Sequence, residues 1–284
     1  MLTAGVDIGS LATKAVVLDT LRPRIVATVR IPSGSRPPKA GRSALKQVLA
    51  AAECTLEDLA GVVATGYGRE ALDFADSTVT EITCAARGAH MIDERTRTVV
   101  DIGGQDSKAI RVHAEGYPLD FALNDRCAAG TGRFLEVMAG ALETDLGGLE
   151  RLALETDEPA EIGATCTVFA ESEVVGLLAA GTDRAPVAAG LARAVALRTS
   201  GLVRQIGVEP MVMLIGGVGK NAAIARELER ILSTELLVPD DPQMVVALGA
   251  ALVAAQRAGD DAQVRAGGLS GRAGRNAGTD GGLS

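Results

Sequence analysis

The sequence predicts an α/β protein made of two tandem halves that face each other across a cleft, followed by a disordered tail. Two observations carry this prediction. Residues 98–112 repeat the pattern of residues 2–19, and each copy has two short, β-branched apolar runs around a glycine-containing turn. Such a pattern is typical of a β-hairpin. The 284 residues are enough for about two domains.

The repeat aligns without a gap. Asp7 falls on Asp101 and Lys14 falls on Lys108 at the same offset, with further identical or conservative matches between them. A repeat of this kind points to a duplicated architecture. The predicted units are a first half over residues 1–95, a second half over residues 96–258 and a disordered tail over residues 259–284.

The remaining elements follow from apolar periodicity and turn residues. In the first half we predict a strand over 25–31, a loop over 32–41, a helix over 43–52, a capped turn at 55–58 and a strand over 61–65. In the second half we predict strands over 118–123 and 211–215, and helices from near Cys127 through Met138 and over 168–178, 185–207, 221–232 and 242–257. The closing helix packs either on the second half or back on the first.

Composition excludes several classes of protein. The chain has 28 Lys and Arg against 36 Asp and Glu, a net charge of −8, and no recognised basic stripe, which argues against nucleic acid and anionic membranes. Its longest apolar stretch is too short to span a membrane, and no signal peptide precedes the first strand. Four cysteines are too few for a disulfide framework, so we expect a reducing cytoplasm.

The repeated turns predict phosphate chemistry. Backbone N–H groups of a glycine-containing turn can surround an anion, and carboxylates beside it suit Mg²⁺. We expect Asp7 and Asp101 to face each other across the cleft, with Gln105 orienting a water molecule. A third strand, glycine and helix segment at 212–221 suits a purine. The candidate nucleotide-binding residues from these patterns are Gly9, Ser10, Leu11, Ala12, Thr13, Lys14, Gly103, Gly104, Gly216 and Gly217.

Two cysteines lie where helices are predicted to begin. Helix N-termini favour thiolates, so Cys127 and Cys166 are candidate ligands of an iron–sulfur cluster. A [4Fe–4S] cluster takes four cysteines, which would require two chains related by a two-fold axis. The alternative is that both are small core residues. We interpret Cys54 and Cys84 as buried packing residues.

The longer motifs resemble a known family. They are ATGYGRE at 64–70, DIGGQDSKAI at 101–110, NDRCAAGTGRFLE at 124–136, ATCTVFAESEV at 164–174 and GGV at 216–218. These segments resemble the ATP-dependent activators of 2-hydroxyacyl-CoA dehydratases, a family that includes ATPase subunits of benzoyl-CoA reductases. The resemblance covers residues 4–256. It implies two ribonuclease-H-like halves, as in the actin, sugar kinase and Hsp70 superfamily of ATPases.

The resemblance also implies a mechanism. A homodimer would hold one [4Fe–4S] cluster between its subunits through Cys127 and Cys166 of each chain. ATP hydrolysis would drive one low-potential electron into a separate iron–sulfur dehydratase or reductase, and a ferredoxin or flavodoxin would reload the activator. Asp7, Asp101 and Gln105 would be catalytic, with Mg²⁺ as cofactor, and Gln243 would join the nucleotide contacts.

Three alternatives are kept. Within the family, the chain could be an ATPase subunit of a benzoyl-CoA-reductase-type complex that works as a heteromer. Outside it, the chain could be a small-molecule kinase of the same superfamily without a cluster, or an actin-like assembly protein. Iron content separates the family members, which would bind a cluster, from the kinase and the assembly protein, which would not.

Overall fold

The computed structural model describes residues 1–71, 73–124, 128–163 and 166–273. The strands are β1 (Leu2–Ile8), β2 (Ala12–Asp19), β3 (Arg24–Pro32), β4 (Leu59–Thr65), β5 (Ser77–Thr78), β6 (Thr98–Ile102), β7 (Ser107–Val112), β8 (Pro118–Asn124), β9 (Val212–Ile215) and β10 (Leu236–Leu237). The helices are α1 (Pro37–Ala51), α2 (Glu81–Ile92), α3 (Gly132–Ala141), α4 (Leu146–Leu154), α5 (Thr167–Ala179), α6 (Arg184–Ile206), α7 (Ala222–Leu232) and α8 (Val245–Ala273).

The strands form two five-stranded sheets of the same design. The first has the order β3-β2-β1-β4-β5, and the second has the order β8-β7-β6-β9-β10. In each sheet a hairpin supplies the antiparallel strands, and two further strands add in parallel beside the first. The hairpins also share their register, since Asp7 pairs with Lys14 and Asp101 with Lys108. The predicted α/β duplication is therefore confirmed.

Helices cover both faces of the sheets. Helix α1 packs on the first sheet through Ala44, Leu45 and Val48, which alternate with polar positions at helical spacing. Helices α3, α4, α6 and α7 bury a large aliphatic core with the second sheet. Because the chain has only 2% aromatic residues, these cores consist mainly of Ala, Val, Leu and Ile.

The two halves are joined by α2 and α8. Helix α2 packs against the second sheet, whereas α8 packs back on β1, β2 and β4 of the first. The two helices meet at glycines. A Cβ atom at Gly88 would overlap the carbonyl oxygen of Val245, and one at Gly249 would overlap that of Cys84. Glycine is therefore required at both positions.

The structure corrects several predicted boundaries. Helix α1 begins at Pro37 rather than residue 43, because two prolines fit the first turn of a helix. Helix α3 begins at Gly132 rather than near Cys127. Gly130 has φ of +85°, a left-handed conformation that interrupts a helix, and Thr131 is the N-cap residue. Helices α2 and α4 were not predicted.

The C-terminal helix is longer than the sequence predicts. We expected it to end at Arg257, but α8 continues to Ala273. Alanine, glutamine and arginine in residues 258–273 favour helix, whereas four glycines in the same stretch disfavour it and concealed the continuation from the sequence pattern. Residues 274–284, the end of the predicted disordered tail, lie outside the described residues. Within the described part of the chain, no helix is long and apolar enough to cross a membrane.

The prediction that the chain has no basic stripe was wrong. Residues 20–52 contain seven Arg and Lys and no Asp or Glu. The structure places Arg36, Lys39, Arg42 and Lys46 on the solvent side of α1 and its N-cap. The average over the whole chain concealed this local excess of positive charge.

Candidate functional site

The halves enclose a cavity of about 900 Å³ between the turns of the two repeated hairpins. All but one of the nucleotide and catalytic residues predicted from the sequence line it. They are Asp7, Gly9, Ser10, Leu11, Ala12, Lys14, Asp101, Gly103, Gly104, Gln105, Gly216, Gly217 and Gln243. Thr13 is the exception. It is fully buried in β2, where its hydroxyl lies 2.9 Å from that of Ser33, because alternate residues of a strand point to opposite faces.

The first hairpin presents a single ion pair to the cavity. The Lys14 Nζ lies 2.6 Å from a carboxylate oxygen of Asp7 and donates to the Ala12 carbonyl at 3.2 Å. The turn itself is closed by a hydrogen bond from the Gly9 N–H to the Ala12 carbonyl. Both charged side chains are largely buried, so little water screens their attraction.

The second hairpin presents a larger cluster. The Lys108 Nζ lies 2.7 Å from Asp106, 3.1 Å from Glu81 and 4.0 Å from Asp101. Glu81 is the first residue of α2, so the cluster also ties this helix to the second hairpin. The turn closes as in the first hairpin, through a bond from the Gly103 N–H to the Asp106 carbonyl.

Burial and neighbouring charges shift the pKa values in this cluster. Burial raises the pKa of Asp101 to about 6, and the attraction of Lys108 only partly opposes this. Burial alone would lower the pKa of Lys108, but Asp101, Glu81 and Asp106 together raise it above its ordinary value. Lys108 is therefore a permanent cation, whereas Asp101 is close to gaining a proton near neutral pH.

Glycines at two equivalent strand ends let the chain pass close to the aspartates. Gly66 follows β4 with φ of +88°, and Gly216 follows β9 with φ of +87°. A Cβ atom at Gly66 would overlap a carboxylate oxygen of Asp7, and one at Gly216 would overlap that of Asp101. The two positions match under the duplication. The motif ATGYGRE is thus the first-half counterpart of the GGV segment.

The cavity wall beyond Gly216 is built by the loop before α8. The Gly216 N–H donates to the Pro242 carbonyl at 3.0 Å. A Cβ atom at Gly217 would lie 3.0 Å from the Gln243 side-chain nitrogen, and the side-chain oxygen Oε1 of Gln243 accepts a hydrogen bond from Arg30. Gln243, which the resemblance alone suggested, therefore borders the glycine turn that the sequence assigned to a purine.

Helix α3 is anchored to the turn of the second hairpin. The N–H of Gly132 donates to the Gly103 carbonyl and that of Arg133 donates to the Gly104 carbonyl, both at 2.9 Å. A Cβ atom at Gly132 would lie 3.4 Å from the Gly103 carbonyl oxygen, in ordinary van der Waals contact, so the anchoring depends on the two hydrogen bonds. A displacement of residues 103–104 would therefore be transmitted directly to α3, which in turn packs on α5.

The three cysteines that the structure describes have different environments. Cys166 is exposed and is the N-cap residue of α5. Its predicted companion Cys127 lies outside the described residues. Cys84 is fully buried, and burial raises the pKa of its thiol to about 12. Cys54 is only partly buried, because it packs at the edge of the first-half core and also borders a surface groove.

Sequence reasoning identified Asp101 in this cluster but missed Glu81, Asp106 and Lys108 itself. The repeat aligned Lys108 with Lys14, which was a sufficient signal to treat it as a cleft residue. Glu81 was missed because α2 was not predicted, although Thr80 caps this helix by accepting from the Thr83 N–H. Threonine is a favoured N-cap residue, because its hydroxyl can accept a hydrogen bond from the backbone N–H three residues later, so Thr80 could have indicated the start of this helix.

Comparisons with known proteins agree with this geometry. The model of the BadF/BadG/BcrA/BcrD ATPase family matches residues 4–254. The chain is 44% identical over 254 residues to the 2-hydroxyisocaproyl-CoA dehydratase activator of Clostridioides difficile, covering 89% of this chain and 95% of the relative.

Two solved structures are also similar. The (R)-2-hydroxyglutaryl-CoA dehydratase component A of Acidaminococcus fermentans has a TM-score of 0.87 and 41% identity, covering 91% of this chain and 99% of that one. The activator of the 2-hydroxyisocaproyl-CoA dehydratase from Clostridium difficile, with bound ADPNP, has a TM-score of 0.87 and 42% identity, covering 93% and 97%. These matches confirm the actin-like ATPase fold. The chain belongs to the BadF/BadG/BcrA/BcrD ATPase family.

Proposed function

We propose that this protein hydrolyses ATP in order to deliver one low-potential electron to a partner 2-hydroxyacyl-CoA dehydratase. The observation that carries the electron-transfer part is the position of Cys166. Its thiol is exposed at the start of α5, where the N–H groups of the first turn and the positive end of the helix dipole suit an anionic cluster. The similar proteins named as dehydratase activators support the same reading.

The surroundings of Cys166 suit a cluster shared between two chains. Val168 and Phe169 in the first turn of α5 are 67% and 70% exposed, and Val175 further along is 53% exposed. Large apolar side chains at such exposure suit contact with another protein surface. Cys127 and Cys166 of each of two subunits would hold a [4Fe–4S] cluster, which carries the transferred electron when bound.

The cleft suits a nucleotide with Mg²⁺. Within the described residues no three His, Cys, Asp or Glu side chains form a ready-made metal site. Mg²⁺ commonly binds through one or two carboxylates, with phosphate oxygens and water completing its shell. Asp7 of the first hairpin and Asp101 of the second both line the cavity and would supply such carboxylates. Gln105 lines the same cavity and would orient the water molecule that attacks the terminal phosphate.

The proposed coupling runs from the phosphate turn to Cys166. Loss of the terminal phosphate would change the contacts of Gly103 and Gly104, whose carbonyls hold the start of α3. Helix α3 packs on α5, whose first turn begins at Cys166. A two-state rearrangement of these helices would let nucleotide state bias the cluster environment. A ferredoxin or flavodoxin would then restore the electron.

Iron and acid-labile sulfide, measured in protein purified without oxygen together with its mass in solution, test this proposal. We expect about four irons per dimer. Cys127→Ser and Cys166→Ser should each abolish cluster binding and weaken the dimer, whereas the matched control Cys54→Ser should bind iron normally. Iron-free protein after anaerobic reconstitution would contradict the proposal and favour a kinase of the same superfamily.

ATP turnover tests the nucleotide site separately. Lys14→Ala and Asp101→Ala should each lower turnover by about a hundredfold or more while the cluster stays intact. Unchanged turnover in both variants would contradict the assignment of the phosphate site. Assay with a purified dehydratase against a benzoyl-CoA reductase component would separate the two activities within the family.

A further inference from the structure

We propose that the outer surface of α1 is a docking site for an acidic protein segment that also carries apolar side chains. The site consists of the basic stripe Arg36, Lys39, Arg42 and Lys46 and an adjoining apolar groove. It belongs to the first half and is separate from the cleft and from Cys166, so it does not depend on the proposed electron transfer.

The stripe follows from helical geometry. At 3.6 residues per turn, the side chains of Lys39, Arg42 and Lys46 project within about 60° of one another, and Arg36 precedes them at the N-cap. The buried residues of α1 lie on the opposite side, and all four cations are exposed. Of the four, only Arg42 forms an ion pair in the described part of the chain, with the exposed Asp73 at 2.6 Å. Among the described residues, Arg36, Lys39 and Lys46 therefore face solvent without a carboxylate partner.

The charges on α1 are opposite to those that stabilise a helix. Carboxylates near the N-terminus and cations near the C-terminus are favourable. Helix α1 has no acidic residue in its first turn and no basic residue in its last, while Lys39 lies in the first turn. An arrangement that opposes helix stability points to a role outside folding. Carboxylates of a bound partner would offset the unfavourable interaction between these cations and the helix dipole.

A groove beside the stripe supplies apolar contacts. It has a volume of about 410 Å³ and is lined mainly by Leu45, Leu49, Ala50, Cys54 and Phe74, with Arg42 and Lys46 at its border. An apolar side chain of the partner could enter this groove while acidic neighbours meet the two cations. Alternation of acidic and apolar residues is therefore the chemistry that fits.

Two competing ligands fit less well. A small phosphate at the start of α1 would lack backbone donors, because Pro37 and Pro38 have no N–H groups. Nucleic acid would meet a chain with net charge −8, whose cations between residues 20 and 52 leave the remainder strongly acidic. A short acidic segment touches only the stripe and avoids this repulsion.

The experiment uses a labelled peptide in which glutamate alternates with leucine, a matched peptide with serine in place of leucine, and a short DNA duplex. Fluorescence anisotropy with the intact protein should show binding of the leucine peptide that weakens between about 50 and 200 mM salt. The triple variant K39Q/R42Q/K46Q should lose about tenfold or more in affinity. The control R151Q/R193Q/R204Q loses the same charge from exposed arginines of the second half and should bind normally.

Four results would overturn the proposal. Equal losses in both triple variants would mean attraction to overall charge alone. Equal binding of the leucine and serine peptides would remove the groove from the site. Tighter binding of the duplex, or no binding of the leucine peptide, would exclude an acidic protein partner. Unchanged ATP turnover of the stripe variant shows that it is folded, since none of its residues lines the cleft.

Discussion

The two hairpins at the cleft share a backbone design but differ in their charges. In the first, Lys14 pairs with one buried carboxylate, that of Asp7. In the second, Lys108 holds Asp101 together with Asp106 and Glu81. Duplication has therefore preserved the strand register and the turn, while the surroundings of the equivalent lysine have diverged. The difference shows that the backbone structure of a hairpin can be kept while the charges around its lysine change.

Replacing the lysine of each hairpin should show the difference between the two hairpins most clearly. Lys108→Met leaves three carboxylates around an apolar side chain, and we expect a loss of about 3–5 kcal/mol in the free energy of unfolding. Lys14→Met strands only Asp7, and we expect a loss of about 1–3 kcal/mol. Denaturant unfolding of the nucleotide-free protein measures both. Equal losses would show that Glu81 and Asp106 do not depend on Lys108.

The pKa of Asp101 predicts a pH dependence confined to the second hairpin. Because this pKa is raised from 3.8 to about 6, the folded state binds more protons than the unfolded state between these values. Stability should therefore fall as pH rises from about 4 to about 6, by about 3 kcal/mol in total from this group. Asp101→Asn should remove this component in the absence of nucleotide and Mg²⁺. The same slope in the variant would assign it to another group.

The equivalent glycines test how far the halves are alike. Gly66→Ala and Gly216→Ala each place a Cβ atom at a positive φ and against an aspartate. Each should therefore lower the free energy of unfolding by about 1–3 kcal/mol. Gly61→Ala is the matched control in β4, because its new Cβ would lie an ordinary 3.5 Å from the Ala254 carbonyl oxygen. Thermal unfolding should rank the control as the mildest change. A mild effect at only one of the two glycines would show that the two halves differ at these strand ends.

The smallest effect concerns the buried hydroxyls at repeat positions 13 and 107. Thr13 bonds to Ser33, and Ser107 donates to the Gly130 carbonyl, both at 2.9 Å. Thr13→Val should cost about 1 kcal/mol of stability and leave ADP affinity unchanged within about twofold. Isothermal calorimetry with ADP checks this. A large loss of affinity would return Thr13 to the nucleotide site.

The sequence was most informative where local pattern and tertiary role coincide. The hairpins at 2–19 and 98–112 are buried, β-branched and closed by glycine turns, so their register follows from local geometry. Helix α2 was missed because EITCAARGAHMI has small residues on its buried side rather than a stripe of large ones. Its packing depends on the approach of α8, which is distant in sequence.

The cleft was predictable to a similar degree. The turn residues lie together because the repeat places them at equivalent strand ends. The cluster at Lys108 was not predicted, because Glu81 enters it from another element. The stripe on α1 was missed for a different reason. Net charge is an average, and only the absence of carboxylates between residues 20 and 52 shows the local excess.

The glycine contacts between α2 and α8 have a thermal consequence. At Gly88 and Gly249 the two helices meet through their backbones, with alanines such as Ala85 and Ala250 beside them. Alanine and glycine lose little or no side-chain entropy on burial and expose little apolar area when separated. The heat capacity of unfolding depends on apolar area newly exposed to water. The connection between the halves should therefore weaken less on cooling than the aliphatic cores under the sheets.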